Sequence, residues 1–157
     1  AHEQAGVTPD LMTLAKPLAG GLPMGAVLLT DRVASTLRPG DHATTFGGGP
    51  LVASAALAAV KTIGDAEFLA DLARRSHALA NHLQRLVVTN PRVKDVRGVG
   101  MIWGIDVEGP AADVVARAMD AGLLLCTAGP SVVRLVPPLV VSEEELARGV
   151  DILDEVI

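Results

Sequence analysis

The sequence has few aromatic residues and a single cysteine, and these shortages exclude several kinds of protein. Tyrosine is absent, and the aromatic side chains are Phe46, Phe68 and Trp103. A surface that stacks nucleic-acid bases on aromatic rings is therefore not expected. With Cys126 as its one cysteine, the chain can form neither an internal disulfide nor a metal site built from several cysteines.

Long apolar runs are also missing, although 50% of the residues are hydrophobic. The longest run, LVASAALAAV, lies between Pro50 and Lys61 and is shorter than the roughly 18 residues of a membrane-spanning helix. It predicts a buried helix instead, and no signal peptide is apparent. The net charge of −5 argues against nucleic acid or an anionic membrane as a partner. We expect a cytoplasmic protein, and an organelle stays open if a transit peptide precedes Ala1.

The first third of the sequence has the pattern of an α/β layer. Apolar stretches at 10–15 and 25–30 predict two buried strands, and residues 31–37 predict a short helix. The stretch 38–50 is rich in glycine, proline and threonine and predicts a loop. Pro50 suits the first turn of a helix, which we expect to end near Ile63. This part is interpreted as the end of a larger α/β layer.

The rest of the sequence predicts a long helix and a smaller α+β domain. Leucines recur at helical spacing between residues 65 and 88, and this helix is expected to link two lobes. The remaining segments predict the order β-β-α-β-β-α, with Gly122 ending one helix and Ser142 with Glu145 in capping-box spacing at the last. The predicted divisions are 1–64, 65–91 and 92–157.

Lys16 occupies an unusual place in the stretch TLAKPLAGGLPMGAV. It is one of three lysines in the chain, and it stands between two apolar strands in a turn rich in glycine and proline. A solvated surface lysine is the commoner explanation for such a position. The apolar flanks favour another: partial desolvation would lower the lysine pKa and free the amine as a nucleophile.

Two other segments carry candidate binding residues. The loop GDHATTFGGGPL contains Thr44 and Thr45, hydroxyls followed by glycine N–H groups before a helix, which together could cradle an anion. Most glycine–threonine loops bind nothing, so this signal is weak alone. Arg134 stands in an otherwise apolar strand. An edge position or a buried ion pair would explain it, and so would a clamp for a carboxylate.

The stretch PDLMTLAKPLAGGLPMGAVLLT resembles the lysine segment of the class III (ω-amino acid) aminotransferases. The resemblance implies a fold type I transferase that uses pyridoxal 5'-phosphate (PLP), with Lys16 as the residue that forms a Schiff base with the cofactor. It implies that Thr45, with Thr44 beside it, binds the cofactor phosphate of a neighbouring subunit, and therefore a homodimer. It makes Arg134 the clamp for a substrate carboxylate. The family usually has asparagine where this chain has Gly49.

Within this family, TAGPSVVRLVPPL is most similar to the acetylornithine aminotransferases. The resemblance then implies transfer of the δ-amino group of N-acetylornithine to 2-oxoglutarate, in arginine biosynthesis. Ornithine, succinylornithine and 4-aminobutyrate stay open as alternative amino donors. In the resembled family an acid at the pyridine nitrogen, the main phosphate cradle and a group against the ring precede the lysine. We therefore expect this chain to be the C-terminal part of such an enzyme and inactive alone.

A different hypothesis is a non-catalytic fragment or a dimerisation module that keeps the interface without the chemistry. Other features are interpreted as structural. The cluster GVGMIWG lacks the spacing of a nucleotide loop and predicts a tight turn. His77 and His82 are expected at the surface, and His42, though near the threonines, is given a structural role. Cys126 is expected to pack as a small apolar residue, and Arg97 to pair with an acid.

Overall fold

The chain divides into two structural units in a computed structural model that describes residues 2–157. The first unit ends at Asp65 and the second covers Ala66–Ile157. Each contains helices and its own antiparallel sheet, in agreement with the predicted α/β class. Within residues 2–157, no helix combines the length and the apolar composition needed to cross a bilayer.

The first unit is built on a two-stranded antiparallel sheet. Its elements are β1 (Leu11–Leu14), a short 3-10 helix (Lys16–Ala19), β2 (Ala26–Leu29), α1 (Asp31–Ala34) and α2 (Pro50–Ile63). Leu14 pairs with Ala26, so the segment between them, which contains Lys16, forms the connection at one end of the sheet. The positions of both strands and of α2 confirm the sequence prediction.

Burial in this unit differs from the prediction. Both strands and the apolar run of α2 were expected to be buried. Instead, Ala56 is the one residue of α2 that is buried, and Ala19 of the 3-10 helix is the other buried apolar residue among residues 2–65. Exposed apolar side chains remain on α2, among them Leu51, Leu57 and Val60. The prediction of burial is wrong for the chain by itself, because one two-stranded sheet and one turn offer too little surface to cover a helix of 14 residues.

The second unit confirms the predicted order β-β-α-β-β-α after its first helix. The elements are α3 (Ala66–Thr89), β3 (Val93–Val99), β4 (Ile102–Val107), α4 (Ala111–Asp120), β5 (Cys126–Thr127), β6 (Val132–Leu135) and α5 (Glu143–Val156). The four strands form one antiparallel sheet in the order β3-β4-β6-β5. Helices α3 and α5 pack against each other, and α4 packs against α5 and β6.

The core of the second unit lies between the helices and one face of this sheet. Alternate residues of the central strands are buried there, including Trp103, Ile105, Val133 and Leu135. From α3 the core receives Leu79, Leu83 and Leu86, whereas Leu69 is exposed. The helix that was expected to link two lobes thus contributes to the core of this unit. The opposite face of the sheet carries the exposed residues of the same strands.

Arg75 lies on the buried stripe of α3 and is the one charged residue that is buried among residues 2–157. Its Nε donates to Asp71 Oδ2 (2.9 Å), and its Nη1 donates to the carbonyl oxygens of Leu139 (2.7 Å) and Val141 (2.6 Å). The hydrogen bond from Arg74, assisted by the charge of Arg75, holds the pKa of Asp71 below its ordinary value of 3.8. Through its hydrogen bonds to Leu139 and Val141, Arg75 connects α3 to the segment that follows β6.

The start of α5 is the predicted capping box. Ser142 Oγ accepts a hydrogen bond from the backbone N–H of Glu145 (3.1 Å), and the Glu145 carboxylate accepts one from the backbone N–H of Ser142 (2.8 Å). Gly122, with φ of 84°, follows the last residues of α4 as expected. The GVGMIWG turn is also confirmed: Gly100, with φ of 64°, connects β3 to β4.

We expect this capping box to make the stability of the chain fall in acid. Hydrogen bonds from the Ser142 backbone and hydroxyl hold the pKa of Glu145 below its ordinary value of 4.5. A carboxylate with a depressed folded pKa stabilises the fold above its unfolded pKa, and that contribution disappears as the pH falls through the folded value. Urea denaturation from neutral pH to about pH 3 should show this loss. The Glu145→Gln variant keeps a capping side chain without titrating, so an equal loss in that variant would contradict the assignment.

Candidate functional site

Lys16 follows β1 directly and begins the 3-10 helix Lys16–Ala19. Its φ is 56°, the only positive φ of a non-glycine residue among residues 2–157. The left-handed conformation costs a residue with a Cβ about 1–2 kcal/mol. Pro17 follows, and Gly20 closes the turn with its N–H donating to the carbonyl oxygen of Pro17 (3.0 Å). Local sequence therefore holds the lysine in a strained backbone position at a strand end.

The Lys16 side chain is exposed in the chain as described. The apolar flanks predicted a partly desolvated ammonium, and that expectation is not met within this chain. The reason lies in the small sheet: side chains of β1 alternate between exposed and half-buried positions, so no described element encloses the end of the strand. The amine is accessible to a ligand.

The threonine–glycine loop is shaped by a hydrogen bond between its own residues. Thr44 Oγ1 accepts from the backbone N–H of Gly47 (3.0 Å), so the hydroxyl proton is left to donate to a ligand. A Cβ at Gly47 would lie 2.6 Å from that oxygen, so a side chain at position 47 would force the Thr44 side chain to shift. Gly48 has φ of 68°. Thr45 is exposed beside them.

A cavity of about 510 Å³ lies between this loop and the end of the lysine turn. Its lining consists of Pro23, Met24, Gly25, His42, Thr44, Gly47 and Gly48. The structure therefore brings Thr44 and His42 to one cavity, whereas Lys16 and Thr45 are not among its lining residues. A threonine hydroxyl, an imidazole and glycine backbone around a shared space are groups that suit an oxyanion. The region fits a phosphate-bearing cofactor on this observation. Sequence reasoning had not assigned Pro23–Gly25 to a site.

Arg134 belongs to the second unit and lies on the sheet face opposite the helices. In the register of the sheet it pairs with Gly104 of β4 and with Cys126 of β5. Its side chain is exposed, and among residues 2–157 no side chain forms an ion pair or hydrogen bond with it. The alternative of a buried ion pair is thus wrong, while the guanidinium is left with all its donors for a carboxylate.

A second cavity, of about 610 Å³, contains Arg134 in its wall. The other lining residues are Arg97, Gly98, Val99, Ile102, Trp103, Gly104, Ala128 and Val132. Arg97 pairs with acids as predicted, its Nη1 lying 3.2 Å from Asp95 Oδ2 and 3.9 Å from Asp106 Oδ2. The site residues therefore fall into two groups, one in each structural unit.

The residues interpreted as structural are placed as follows. Cys126 is exposed; the prediction of apolar packing is wrong, because β5 is an edge strand of two residues. His77 is exposed and His82 is half-buried, with its Nδ1 in contact with an arginine guanidinium. Within residues 2–157, no group of three His, Cys, Asp or Glu side chains is arranged to hold a metal ion.

Comparison with known proteins identifies the family to which the chain is similar. The sequence model of the family described as Aminotransferase class-III matches residues 1–157. A mitochondrial acetylornithine aminotransferase of Alnus glutinosa is 50% identical over 154 residues, which cover 98% of this chain and 34% of that protein. The chain spans well under half of the length of such relatives.

Solved structures agree with the sequence comparison. The N-acetylornithine aminotransferase of Stenotrophomonas maltophilia superposes with a TM-score of 0.85 at 36% identity, covering 99% of this chain and 41% of that one. An ornithine aminotransferase of Toxoplasma gondii, with PLP at partial occupancy in its active site, superposes with a TM-score of 0.86 at 30% identity. The superposition covers 98% of this chain and 37% of that one. These similarities confirm the predicted α/β fold of a type I transferase.

Proposed function

The chain belongs to the class III aminotransferases, and from that membership we propose that the protein containing it is a PLP-dependent transaminase acting on N-acetylornithine. The 50% identity to an acetylornithine aminotransferase over almost the whole chain carries this proposal. The acceptor would be 2-oxoglutarate, and the product would serve arginine biosynthesis. We further propose that residues 1–64 are the C-terminal part of the PLP-binding large domain of that protein, that residues 65–91 form a linking helix, and that residues 92–157 form its small α+β domain.

Lys16 is proposed as the residue that holds the cofactor and moves the proton. When bound, PLP supplies an aldehyde that takes up amino groups and a ring that draws electrons from the substrate carbon. A lysine amine can lose its proton and act as a nucleophile and then as a base, which an arginine guanidinium cannot. The exposed position of Lys16 at the end of β1 leaves the amine accessible for both tasks.

The threonine–glycine loop is proposed to bind the cofactor phosphate. Thr45 is the residue that the family resemblance assigns to this phosphate, with Thr44 beside it, and the cavity at Thr44 suits an oxyanion. In this proposal the loop serves the active site of a second copy of the chain, so a homodimer is required. The 91% exposure of Phe46 next to Thr45 supports this, because a large apolar side chain in that position favours a protein partner.

Arg134 is proposed as the clamp for the substrate carboxylate, and its replacement gives a specific prediction. Arg134→Gln should lower kcat/KM for the amino donor about 10- to 100-fold, the equivalent of a lost charge-assisted hydrogen bond. Steady-state kinetics of the whole enzyme would measure it. Arg148→Gln, at an exposed position of α5, is the matched control and should change kcat/KM less than about 2-fold. An equal loss in both variants would contradict the assignment.

The proposed function is tested with the whole protein and a panel of amino donors. We expect cofactor absorbance in the purified protein and transfer from N-acetylornithine to 2-oxoglutarate that exceeds transfer from ornithine, succinylornithine and 4-aminobutyrate. If the protein preferred ornithine, the proposed amino donor would change and the proposed reaction, transamination, would stand. Ornithine is the second candidate donor because the chain is similar to the T. gondii ornithine aminotransferase. A protein that binds no PLP and transfers no amino group from any donor would overturn the proposal in favour of a non-catalytic module.

A further inference from the structure

A third cavity, of about 510 Å³, lies within the second unit, where the N-terminal turns of α3 meet the segment that leads into α5. It shares no lining residue with the cavities at Thr44 and Arg134. Apolar surface in its wall comes from Phe68 and Val140. The same wall contains two bases and two acids, which are Asp71, Arg74, Arg75 and Glu143.

One donor of the buried Arg75 opens into this cavity. The Nε and Nη1 atoms of Arg75 already donate within the protein, whereas Nη2 has no partner among residues 2–157. Every fully buried side-chain nitrogen or oxygen in that range has a partner, so Nη2 must be reached from outside the core. Because Arg75 forms part of the cavity wall, a ligand in the cavity can accept from this atom. The existing hydrogen bonds hold the guanidinium in place, so the donor is preorganised.

Glu143 supplies an acceptor at the same cavity. Its Oε1 atom contacts Arg74, whereas Oε2 has no partner within the described part of the chain. The other polar groups of the wall are more fully engaged. Both carboxylate oxygens of Asp71 accept from arginines, and the Ser142 hydroxyl bonds with Glu145 in the capping box. The cavity thus offers a cationic donor and an anionic acceptor on two different side chains.

The charges of the wall select the class of ligand. Two arginines and two acids sum to a formal charge of zero, so an anion would meet the acids and a cation would meet the arginines at a cost in both cases. A ligand that carries one carboxylate and one ammonium group instead meets an opposite charge at each end. The ring of Phe68 and the 76% exposed Val140 would cover an apolar part of such a ligand.

We propose that this cavity is a binding site for a free amino acid with an apolar side chain. Its carboxylate accepts from Arg75 Nη2, and its ammonium group donates to Glu143 Oε2. The bound amino acid therefore contacts both α3 and the start of α5. The inference is independent of the proposed function, because it involves none of the residues proposed to bind the cofactor or the substrate carboxylate.

The test measures the binding of L-leucine and of its two halves to the 157-residue chain by ligand-observed NMR. The probe 4-methylpentanoate lacks the ammonium group, and 3-methylbutylamine lacks the carboxylate. We expect L-leucine to bind with a Kd of about 1 mM, which is ordinary for a ligand of this size. Each half should bind about 10-fold more weakly or worse. A half that binds as tightly as L-leucine would overturn the inference.

Two variants locate the ligand in the cavity. Glu143→Gln should weaken the binding of L-leucine about 10-fold and leave that of 4-methylpentanoate unchanged. Glu144→Gln, which neutralises the next acid of the same helix outside the cavity wall, is the control and should change either affinity less than about 2-fold. Arg75→Lys keeps the charge without the planar fork. It should weaken L-leucine and 4-methylpentanoate alike and leave 3-methylbutylamine unchanged.

The outcomes separate this inference from the proposed function. Equal effects of Glu143→Gln and Glu144→Gln, or no effect of either, would overturn the binding site. Circular dichroism checks the folding of each variant, and if Arg75→Lys unfolds, the comparison of Glu143→Gln with its control decides. Arg134→Gln should leave the binding of L-leucine intact. Loss of binding in that variant alone would assign L-leucine to the proposed carboxylate clamp, which overturns this inference and leaves the proposed function standing.

Discussion

We expect Lys16→Ala to abolish the proposed transamination of the whole protein while leaving its fold intact, the largest effect of any single substitution. Proton transfer by a positioned side chain contributes about 10²- to 10⁴-fold to a rate, and loss of the covalent attachment of the cofactor adds to this. We therefore expect kcat to fall at least about 10³-fold. Stopped-flow kinetics and the absorbance of bound cofactor, measured on the whole enzyme, would report both losses.

Two further variants make this result specific. Lys16→Arg keeps the positive charge but cannot lose its proton, so it should be as inactive as the alanine variant. Lys61→Ala removes another exposed lysine, in the last turn of α2, and should retain full activity. A Lys16→Ala enzyme with unchanged absorbance and rate would show that another group holds the cofactor.

Arg75→Met destabilises the second unit by about 2–5 kcal/mol, the largest effect on stability that we expect. Only 7% of the Arg75 side chain is exposed, and its removal leaves the carbonyl oxygens of Leu139 and Val141 without their donor. Methionine fills much of the volume, so the loss reports the hydrogen bonds rather than a cavity. Urea denaturation followed by circular dichroism would measure the change in the free energy of unfolding.

The neighbouring arginine supplies the control for this prediction. Arg74 also bonds Asp71 and contacts Glu143 at the start of α5, but 61% of its side chain is exposed. Exposed ion pairs contribute at most about 1 kcal/mol, so Arg74→Met should cost far less than Arg75→Met. Similar losses in the two variants would mean that burial does not set the contribution of Arg75.

The sequence predicted the elements well where local chemistry decides them. Pro50 at the start of α2, Gly122 after α4 and the Ser142–Glu145 capping box each act within a few residues, and all three are found where expected. Lys16 was located by the same kind of signal, a strand that ends in a turn. What depends on distant surfaces was predicted less well: α2 is mostly exposed, and Cys126 lies outside the core.

Arg75 was missed although its position carries a signal. Leu72, Arg75, Leu79 and Leu83 follow one another at three- and four-residue spacing, so the arginine interrupts an otherwise apolar stripe. Such a residue must find partners inside the protein. One partner, Asp71, is local. The two carbonyl groups that Arg75 also binds lie more than 60 positions away, and no local pattern identifies them.

The side-by-side positions of Arg97, Gly104 and Arg134 on three neighbouring strands could not be predicted from the sequence, because they depend on strand register. A shift of one residue in either pairing would send one of the arginines to the opposite face. The pairings Arg97 with Gly104 and Gly104 with Arg134 arise from the whole sheet, including an irregularity between Val93 and Asp95. The sequence indicated each arginine separately but not that they face one cavity.

The left-handed backbone at Lys16 sets two selective pressures against each other. Glycine adopts φ near 56° without the penalty that a Cβ incurs, so a library of variants sorted by resistance to heat should enrich glycine at position 16. The same library sorted by catalysis should return only lysine. Selection for stability therefore favours glycine at position 16, whereas selection for catalysis favours lysine. The residue found there shows which of the two kinds of selection has acted on a given lineage.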